Sequence, residues 1–440
     1  MSTSRKDELH SLLSLITSAT EDAIHQYELA GCDIPSLKTT AESQLPEDTT
    51  ALKKALRVLD GACHQLCTTL TPPALTMFTR SLATVDVACL RVVVNANIAD
   101  VIGDRPEGMH IQEIAEITNL QKEKLMSIMR KLAATHCFRE TSPSVFANNP
   151  ISATLLQDNP LSALVKNRTN EFNDIAVSHL YDTLIDPEYG ASFDARRSSF
   201  AYGIKDDIPN GTMFDWLGDH PESSERSMVG ISYILGHGAV VKQYPWANLP
   251  QDTTVCDVGG GTGTVSIELA KAYSNLHLTL QDLPDVLEQA RQLWRKDYPV
   301  AIEEKRIEFI PFDFLRESPI RQIIHDWPAD DCVRILRNVR EAMKPGSRIL
   351  IHEYILLPNV FGTASLDHNY GAEAAPRPLL PNYGFGSIRS YLQDVNMLIL
   401  LNAGERTLDE FKDLGVRAGL RIVKVWDFLE TGLVEFEAEM

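Results

Sequence analysis

The sequence predicts an α/β protein in which a doubly wound, mostly parallel sheet follows a mainly helical region. Helical periodicity dominates the chain from about Lys6 to Val241. After Pro250, short apolar strand-like runs alternate with helical patterns, which is typical of right-handed βαβ units. A glycine-rich turn follows the first of these runs, at the place where doubly wound sheets bind ligands.

Composition and charge restrict the classes of function. With 440 residues the chain is long enough for two or three units, and its 44% hydrophobic share is that of an ordinary globular protein. The formal net charge of -19 opposes binding to nucleic-acid phosphate and to anionic membranes. We therefore expect neither a nucleic acid nor a membrane as a partner.

The cysteines and the N-terminal residues predict a cytoplasmic protein with reduced thiols. The seven cysteines are scattered and show no CxxC spacing, so neither a disulfide framework nor a zinc site is expected. The first ten residues lack the apolar run of a secretory signal. The most apolar stretch, Val85 to Ile102, contains three charged residues and does not suit a membrane span.

Three segments are predicted before residue 246. Residues 1–70 form a helical arm that is broken near Ile34 to Pro46, residues 71–165 form a winged-helix-like dimerisation domain, and residues 166–245 form linker helices. The winged helix is predicted by three helical patterns that precede a hairpin with its turn at Ser142-Pro143.

The stretch from Ile111 to Leu132 also resembles a helix-turn-helix that reads DNA, because its second helical pattern carries Lys122 and other basic residues. However, Leu125 and Met129 fall at amphipathic spacing, and the neighbouring residues are as often acidic as basic. We favour a structural or dimerising role for this stretch.

Residues 246–440 are predicted to form the doubly wound sheet. Its apolar strand-like runs are Thr254–Val258, Leu276–Leu280, Ile307–Pro311 and Arg348–Ile355. Two closing strands, Arg421–Trp426 and Leu433–Glu439, are expected to pair as an edge hairpin.

The glycine-rich turn indicates a nucleoside cofactor. Glycines 259, 260, 261 and 263 stand where a strand turns into a helix, so that the backbone can pass close to a ligand. The GxGxxG pattern of dinucleotide sites fails, because its last position falls on Thr264 or Ser266. The remaining GxGxG pattern, preceded by Asp257 to face an ammonium group or its water, favours S-adenosylmethionine. We therefore predict Asp257, Gly259, Gly260 and Gly261 as cofactor-binding residues.

Acidic residues end the next two predicted strands. Asp282 follows about twenty residues after the glycine-rich turn, where doubly wound folds place an acid against ribose hydroxyls. Asp313 is predicted to bind the adenine amino group, and Phe314 beside it is predicted to pack on the ring.

Five motifs, in order, resemble those of the plant-type O-methyltransferase family, in its fungal specialised-metabolism branch, with caffeic acid O-methyltransferase as a plant relative. They are DVGGGTG (257–263), LQDLPDV (280–286), HDWPADD (325–331), ILIHEYILLP (349–358) and AGERTLDEF (403–411). The resemblance implies a Rossmann-like methyltransferase domain at 246–440, S-adenosylmethionine as cofactor, a hydroxylated small molecule as acceptor, a homodimer and no metal.

The same resemblance implies the catalytic residues. His325 falls on the family's general base, Glu353 and Glu405 on the acids that flank it, and Arg321 on a position that contacts the cofactor. A neutral imidazole suits the removal of a proton from a phenol near neutral pH, and a carboxylate on its other nitrogen would stabilise the imidazolium. The alternative for His325 is a residue that caps the helix predicted to begin near Pro328.

An acceptor pocket is predicted from apolar residues that are equally suited to a core. These are Met213, Phe214 and Trp216 of the linker helices, and Tyr391, Met397 and Leu401 of the helix before Glu405. The stretch from Pro358 to Gly386 lacks periodicity and is predicted to be a lid or acceptor loop.

The chain departs from the family between Asp313 and His325, where it is short by roughly one strand and its turn. Either Ile320 to Ile324 is drawn into the gap and displaces His325, or the sheet is interrupted. A coding sequence that has lost this strand is a third alternative.

These observations leave three competing functions. O-methylation of an aromatic or polyketide-like hydroxyl is predicted by the motifs. A pericyclic cyclisation without methyl transfer is the alternative that the missing strand suggests. DNA binding is disfavoured by the net charge.

Overall fold

The computed structural model describes residues 4–39, 46, 49–223, 238–311, 324–360 and 374–439. The chain divides into two compact units. The first comprises Met1–Asp186 and Ser199–Leu235, and the second comprises Pro187–Ser198 and Gly236–Met440. No described helix has both the length and the apolar character that crossing a membrane requires.

The first unit is mainly helical. Its described helices are α1 (Arg5–Ala30), α2 (Thr50–Leu70), α3 (Pro73–Ser81), α4 (Ala83–Asn95), α5 (Ile98–Ile102), α6 (Ile111–Thr118), α7 (Lys122–Ala134), α8 (Pro150–Ala153), α9 (Pro160–Thr169), α10 (Glu171–Ile175), α11 (Leu180–Ile185), α12 (Ser199–Ile204) and α13 (Met213–Asp219). Its described strands are β1 (Met109–His110), β2 (Arg139–Ser142) and β3 (Val145–Ala147).

The predicted arm is a helical hairpin. Ser4 and Asp7 cap the first turn of α1 reciprocally, and Gly31 ends this helix with a φ of 65°. Helices α1 and α2 pack through a small core that includes Tyr27 and Leu52. The chain between the two helices contains the predicted break at 34–46.

A compact core follows, in which α4 to α7 surround a three-stranded antiparallel sheet of order β1–β3–β2. Leu125, Met129 and Leu132 of α7 are each at most 1% exposed, as are Phe138 and Phe146. The amphipathic spacing of α7 is therefore explained by burial in this core.

The second unit carries the remaining elements. Its described helices are α14 (Gly238–Gln243), α15 (Thr264–Ala272), α16 (Pro284–Asp297), α17 (Pro299–Glu303), α18 (Ala329–Ala342), α19 (Ile388–Leu401) and α20 (Leu408–Ala418). Its described strands are β4 (Thr253–Val258), β5 (Leu276–Asp282), β6 (Ile307–Pro311), β7 (Ile349–Glu353), β8 (Ile355–Leu356), β9 (Arg406–Thr407), β10 (Leu420–Asp427) and β11 (Gly432–Ala438).

These strands form two main sheets in the described residues. Strands β4, β5 and β6 are parallel and lie in that order. Strand β11 lies between β10 and β7 and is antiparallel to both, so the prediction that the last two strands pair as a hairpin is confirmed. The short strands β8 and β9 pair in parallel.

Within the described residues, β4–β5–β6 and β10–β11–β7 form separate sheets, but residues 312–323 lie outside the described part of the chain, so the alternative of an interrupted sheet stays a prediction. No described strand joins the two halves. Ile324 lies in a 3₁₀ turn, Ile324–Asp326, rather than in a strand. Residues 320–323, which the other alternative draws into the gap, lie outside the described residues.

Two apolar cores support these halves. Leu280, Leu287 and Trp294 are buried beneath the parallel strands, and Phe411 and Phe436 are buried beside β7 and β11. The cores fix the carboxyl ends of β4, β5 and β7, from which the predicted site residues Asp257, Asp282 and Glu353 extend.

Candidate active site

The glycine-rich turn follows β4 without a break in its hydrogen bonding. The Gly259 N–H donates to the carbonyl oxygen of Gln281 at 2.7 Å, and the Gly263 N–H donates to the oxygen of Gly260 at 2.8 Å. Gly259, Gly261 and Gly263 have φ values of 67°, 59° and 78°. Other residues rarely adopt these angles, so three of the four glycines are required by backbone conformation.

Gly260 is required by space. A Cβ atom at this position would lie 2.4 Å from Leu280 Cδ1 and 2.6 Å from Asp257 Oδ2. The turn therefore packs directly on the ends of β4 and β5, and a side chain would push it away from them.

Asp282 holds the turn from the neighbouring strand. One carboxylate oxygen accepts the Gly261 N–H at 2.9 Å, and the other accepts the Leu283 N–H at 2.7 Å. The side chain is buried.

Asp257 lies beneath the same turn, and its Oδ2 accepts a hydrogen bond from Ser266 Oγ at 2.7 Å. Burial raises the pKa of Asp257, nearby Asp282 adds to this rise, and the Ser266 hydrogen bond opposes it. The motif gave no reason to single out Ser266, a buried hydroxyl in the first turn of α15.

The arrangement fits a ligand with both hydroxyl and cationic groups. Two carboxylates lie at adjacent strand ends, and α15 begins at Gly263 without a side-chain cap. The predicted cofactor contacts Asp313, Phe314 and Arg321 lie outside the described residues.

His325, Glu353 and Glu405 come together although they are far apart in sequence. Side-chain nitrogen and oxygen atoms of all three lie within 4.8 Å of one another. Glu405 Oε1 lies 2.8 Å from His325 Nδ1, and Glu353 Oε1 accepts the backbone N–H of His325 at 3.1 Å. On the other side of the ring, Asp326 Oδ1 lies 3.5 Å from Nε2.

The 2.8 Å contact is close but out of line with the ring N–H, so His325 Nδ1 and both oxygens of Glu405 lack an aligned hydrogen bond within the described residues. Glu353 Oε2 is also unpaired there. Buried polar atoms without partners are costly, and their concentration around one imidazole is typical of a functional site.

Burial dominates the ionisation of the two glutamates. It raises the pKa of Glu405 to about 8, with a further rise from Asp394 and a decrease from Arg406. Burial also raises the pKa of Glu353, whereas His325 and Arg406 lower it. Burial therefore favours the protonated form of both glutamates.

The capping alternative for His325 is not seen. Helix α18 begins at Ala329, its N-cap residue is Pro328, and no side chain caps it. The side chain of His325 faces the glutamates instead. Oxygen and nitrogen atoms at this spacing also resemble the donors that bind divalent cations.

Sequence reasoning missed Asp394, Cys332 and Arg406. Asp394 Oδ1 accepts the backbone N–H of Glu405 at 3.0 Å, and the other two residues contact the turn that carries His325. Arg406 follows Glu405 directly in the AGERTLDEF motif, but an arginine in a polar stretch is usually exposed, so its burial carried no sequence signal.

The predicted pocket residues of the first unit belong largely to an aromatic core. Met213 and Trp216 are buried, and the Trp216 ring meets Phe200 edge-on at 5.6 Å and Phe172 at 6.5 Å. Phe214 is 38% exposed and is the member of this group most accessible to a ligand.

The predicted pocket residues of the second unit lie on α19. The Tyr391 hydroxyl donates to the carbonyl oxygen of Leu357 and accepts from Asn382 Nδ2 at 2.7 Å. Met397 and Leu401 are buried. In the predicted lid, residues 361–373 lie outside the described part of the chain.

Comparison with known proteins identifies the family. Residues 199–367 match the model of the O-methyltransferase domain. A protein named 3-O-methyltransferase 2, from Phanerochaete chrysosporium, is 39% identical over 97% of this chain and 97% of its own length. The chain belongs to the O-methyltransferase family.

Solved structures agree with the fold of this methyltransferase. The structure of OxaC has a TM-score of 0.70 at 22% identity and covers 99% of this chain and 100% of its own. A structure described as a pericyclic reaction enzyme has a TM-score of 0.66 at 18% identity, with coverage of 97% and 100%. The predicted fold class and the prediction of an O-methyltransferase are confirmed.

We predict that Glu405 destabilises the folded methyltransferase increasingly as the pH rises. Its pKa in the folded chain, about 8, exceeds its ordinary value of 4.5, so the folded state binds this proton more tightly than the unfolded state. The contribution to the free energy of unfolding therefore falls between about pH 4.5 and about pH 8, by on the order of a few kcal/mol. Glu405→Gln should remove this fall.

Thermal melts of the wild type and of Glu405→Gln between pH 5 and 8.5 measure the effect. The melting temperature of the variant, relative to wild type, should increase with pH. Glu341→Gln, at an exposed position on α18, serves as the control and should track the wild type. If the melting temperatures of Glu405→Gln and of the wild type changed with pH in parallel, this result would contradict the raised pKa of Glu405.

Proposed function

We propose that this methyltransferase transfers the methyl group of S-adenosylmethionine to a hydroxyl of an aromatic or polyketide-like small molecule, with His325 as general base. The observation that carries the proposal is a largely buried turn that presents one imidazole to two buried glutamates, Glu353 and Glu405. The acceptor-pocket residues predicted from the sequence remain predictions.

The glycine-rich turn is proposed to hold the cofactor. Asp282 would bind ribose hydroxyls while it fixes the Gly261 N–H, and buried Asp257 would face the ammonium group. Asp313, Phe314 and Arg321 remain proposed contacts to the adenine and the rest of the cofactor. S-adenosylmethionine, when bound, supplies a methyl group on a sulfonium that is already activated for transfer.

Asp282→Ala should weaken S-adenosylmethionine binding by about 10-fold to 100-fold, because it removes charge-assisted hydrogen bonds worth about 1.5–3 kcal/mol. Isothermal titration calorimetry measures the dissociation constant. Asp285→Ala removes an exposed carboxylate from the same motif and should leave the constant within about threefold of wild type. If Asp282→Ala bound S-adenosylmethionine as tightly as Asp285→Ala does, the cofactor assignment would be refuted.

The cluster of acids prepares His325 to accept a proton. A phenol with a pKa of about 10 must lose its proton as its oxygen attacks, and imidazole is suited to take it. The accepted proton leaves a cation beside Glu405, whose carboxylate form stabilises it. Because that carboxylate forms only as the pH approaches about 8, the reaction rate should increase with pH up to that range.

His325→Ala should lower kcat by about 100-fold to 10,000-fold and leave the affinity for S-adenosylmethionine unchanged. Transfer of a labelled methyl group to a panel of hydroxylated aromatics measures kcat. His352→Ala is a matched control, because His352 lies on β7 but contacts Thr431 at 2.7 Å instead of the glutamates. Retention of wild-type kcat by His325→Ala would exclude the base assignment.

A pericyclic cyclisation is the second candidate, favoured by the short sequence between Asp313 and His325 and by the fold shared with a pericyclic reaction enzyme. The two functions differ in stoichiometry. Methylation forms one S-adenosylhomocysteine per product, whereas cyclisation consumes no cofactor. The ratio of S-adenosylhomocysteine to product in a single reaction mixture therefore separates them.

The winged-helix region at residues 71–165 is proposed to mediate a homodimer. Helix α3 has no buried residue, and its Met77 and Phe78 are each 64% exposed. Leu75, Leu82 and Val85 extend this apolar surface. A contiguous apolar patch of this kind on a first-unit helix fits a protein–protein contact.

Light scattering coupled to size exclusion should give twice the mass of the chain. Met77→Asp with Phe78→Asp should give a monomer, because two charges cannot be buried in an apolar interface without partners. Val416→Asp, at an exposed position on α20, should remain dimeric. A monomeric wild type at micromolar concentration would contradict the proposal.

A further inference from the structure

The 3₁₀ turn that carries His325 is held by its main chain as well as by its side chain. Glu353 accepts the N–H of His325, and the Gly404 N–H donates to the His325 oxygen at 3.2 Å. The carbonyl oxygens on either side of the histidine, those of Ile324 and Trp327, are bound by a third group.

That group is the guanidinium of Arg406. Its Nη1 donates to the Ile324 oxygen at 2.7 Å, and its Nη2 donates to the Trp327 oxygen at 2.5 Å. The planar fork of an arginine can span two acceptors in this way, whereas the single ammonium of a lysine cannot. The thiol of Cys332 donates to the same two oxygens at 3.3 Å each.

We propose that Arg406 is the positioning residue of the active site: its guanidinium clamps the backbone on both sides of His325 and places a permanent positive charge beside Glu353 and Glu405. The proposal rests on the assignment of His325 as general base. Arg406 itself touches neither acceptor nor cofactor in this assignment and acts through the histidine and the glutamates.

The burial of Arg406 supports a role beyond local packing. The residue is 8% exposed, and its side-chain hydrogen bonds run to carbonyl oxygens and to the sulfur of Cys332 at 3.2 Å. A buried cation without a charged partner is costly. The carboxyl groups of Glu353 and Glu405 are close enough for Arg406 to lower the pKa of both, so each favours its charged form more than it would without this cation.

The clamp also explains how His325 can face its acids although the sequence before it is short by roughly one strand. The residues named above as contacts of the turn lie after it in the sequence. They are Cys332, Glu353, Gly404, Glu405 and Arg406. A shortened link can therefore coexist with a histidine that still faces its acids.

The pH behaviour depends on every charged group around Glu405. These are His325 and Asp326 on the turn, Glu353 on β7 with Tyr354 after it, Asp394 on α19, Arg406 on β9, and Glu410 on α20, which acts on Asp394. Among these groups, Arg406 is the permanent cation. The reactive form of the cluster carries one proton fewer than the resting form, so a cation favours it.

Removal of that cation should shift the acid limb of the kcat profile to higher pH. Arg406 lowers the pKa of both glutamates, so Arg406→Met should move the limb upward by about one pH unit. At neutral pH the same variant should lose about 100-fold in kcat, because a shift of about 1 Å in a catalytic group has that effect.

Arg406→Lys keeps the charge but binds one carbonyl instead of two. Its acid limb should remain within about half a unit of wild type, while its kcat falls by about 10-fold. For both variants, the KM and the calorimetric dissociation constant of S-adenosylmethionine should remain within about threefold of wild type. A change in kcat without a change in cofactor binding is expected of a residue that positions the catalytic group.

Arg337→Met is the matched control. Arg337 lies on α18, and its guanidinium also binds a main-chain oxygen, that of Arg417, at 3.1 and 2.8 Å. This oxygen belongs to α20 and lies outside the cluster around His325. The control should therefore show the wild-type kcat and the wild-type pH profile.

The outcomes separate the clamp from the base assignment. If His325→Ala is inactive and Arg406→Met matches wild type at every pH, the clamp is refuted and the base assignment stands. If His325→Ala retains full methyl transfer, the base assignment fails irrespective of Arg406. Should Arg406→Met not fold, Arg406→Lys decides: a wild-type kcat would overturn the clamp.

Discussion

The structure of this site depends on the burial of two carboxyl groups and one guanidinium around a single imidazole. In water these charges would be screened, but the apolar core beneath β7 and β11 removes the solvent and makes each of them sensitive to the others. Glu405 keeps its proton to about pH 8 as a result. Arg406 lowers the pKa of both glutamates and donates hydrogen bonds to the carbonyl oxygens of the turn. The turn in turn carries His325.

The cofactor turn depends on a simpler constraint, the shape of the backbone. Positive φ angles at three glycines and the absence of room at Gly260 bring the main chain down onto β4 and β5, where Asp282 fixes it. These requirements are local in sequence. The contacts within the turn are made by residues outside the link between Asp313 and His325, whereas the proposed cofactor contacts Asp313, Phe314 and Arg321 lie in that link.

Local requirements are also what the sequence predicted well. Strand β6 was predicted to the residue, and the glycine-rich turn and the closing hairpin were recognised because spacing and turn residues act over a few positions. Arg406 and Asp394 were missed, since their significance comes from burial against residues up to about eighty positions away. Trp216 was predicted to line a pocket but packs in an aromatic core. Pocket walls and cores contain the same apolar residue types, so only the packing in the structure distinguishes them.

One anchor in the second unit joins a side chain to main-chain atoms of a distant segment. Asn402 ends α19 in the left-handed conformation, and its Nδ2 donates to the carbonyl oxygens of Ser192 and Asp194 at 3.1 and 3.0 Å. It thereby fastens the excursion Pro187–Ser198 beside the loop that leads to Glu405. Both acceptors are main-chain atoms, so the bonds are indifferent to side-chain identity. Phe193, 69% exposed between them, can be replaced during divergence while the loop keeps its attachment.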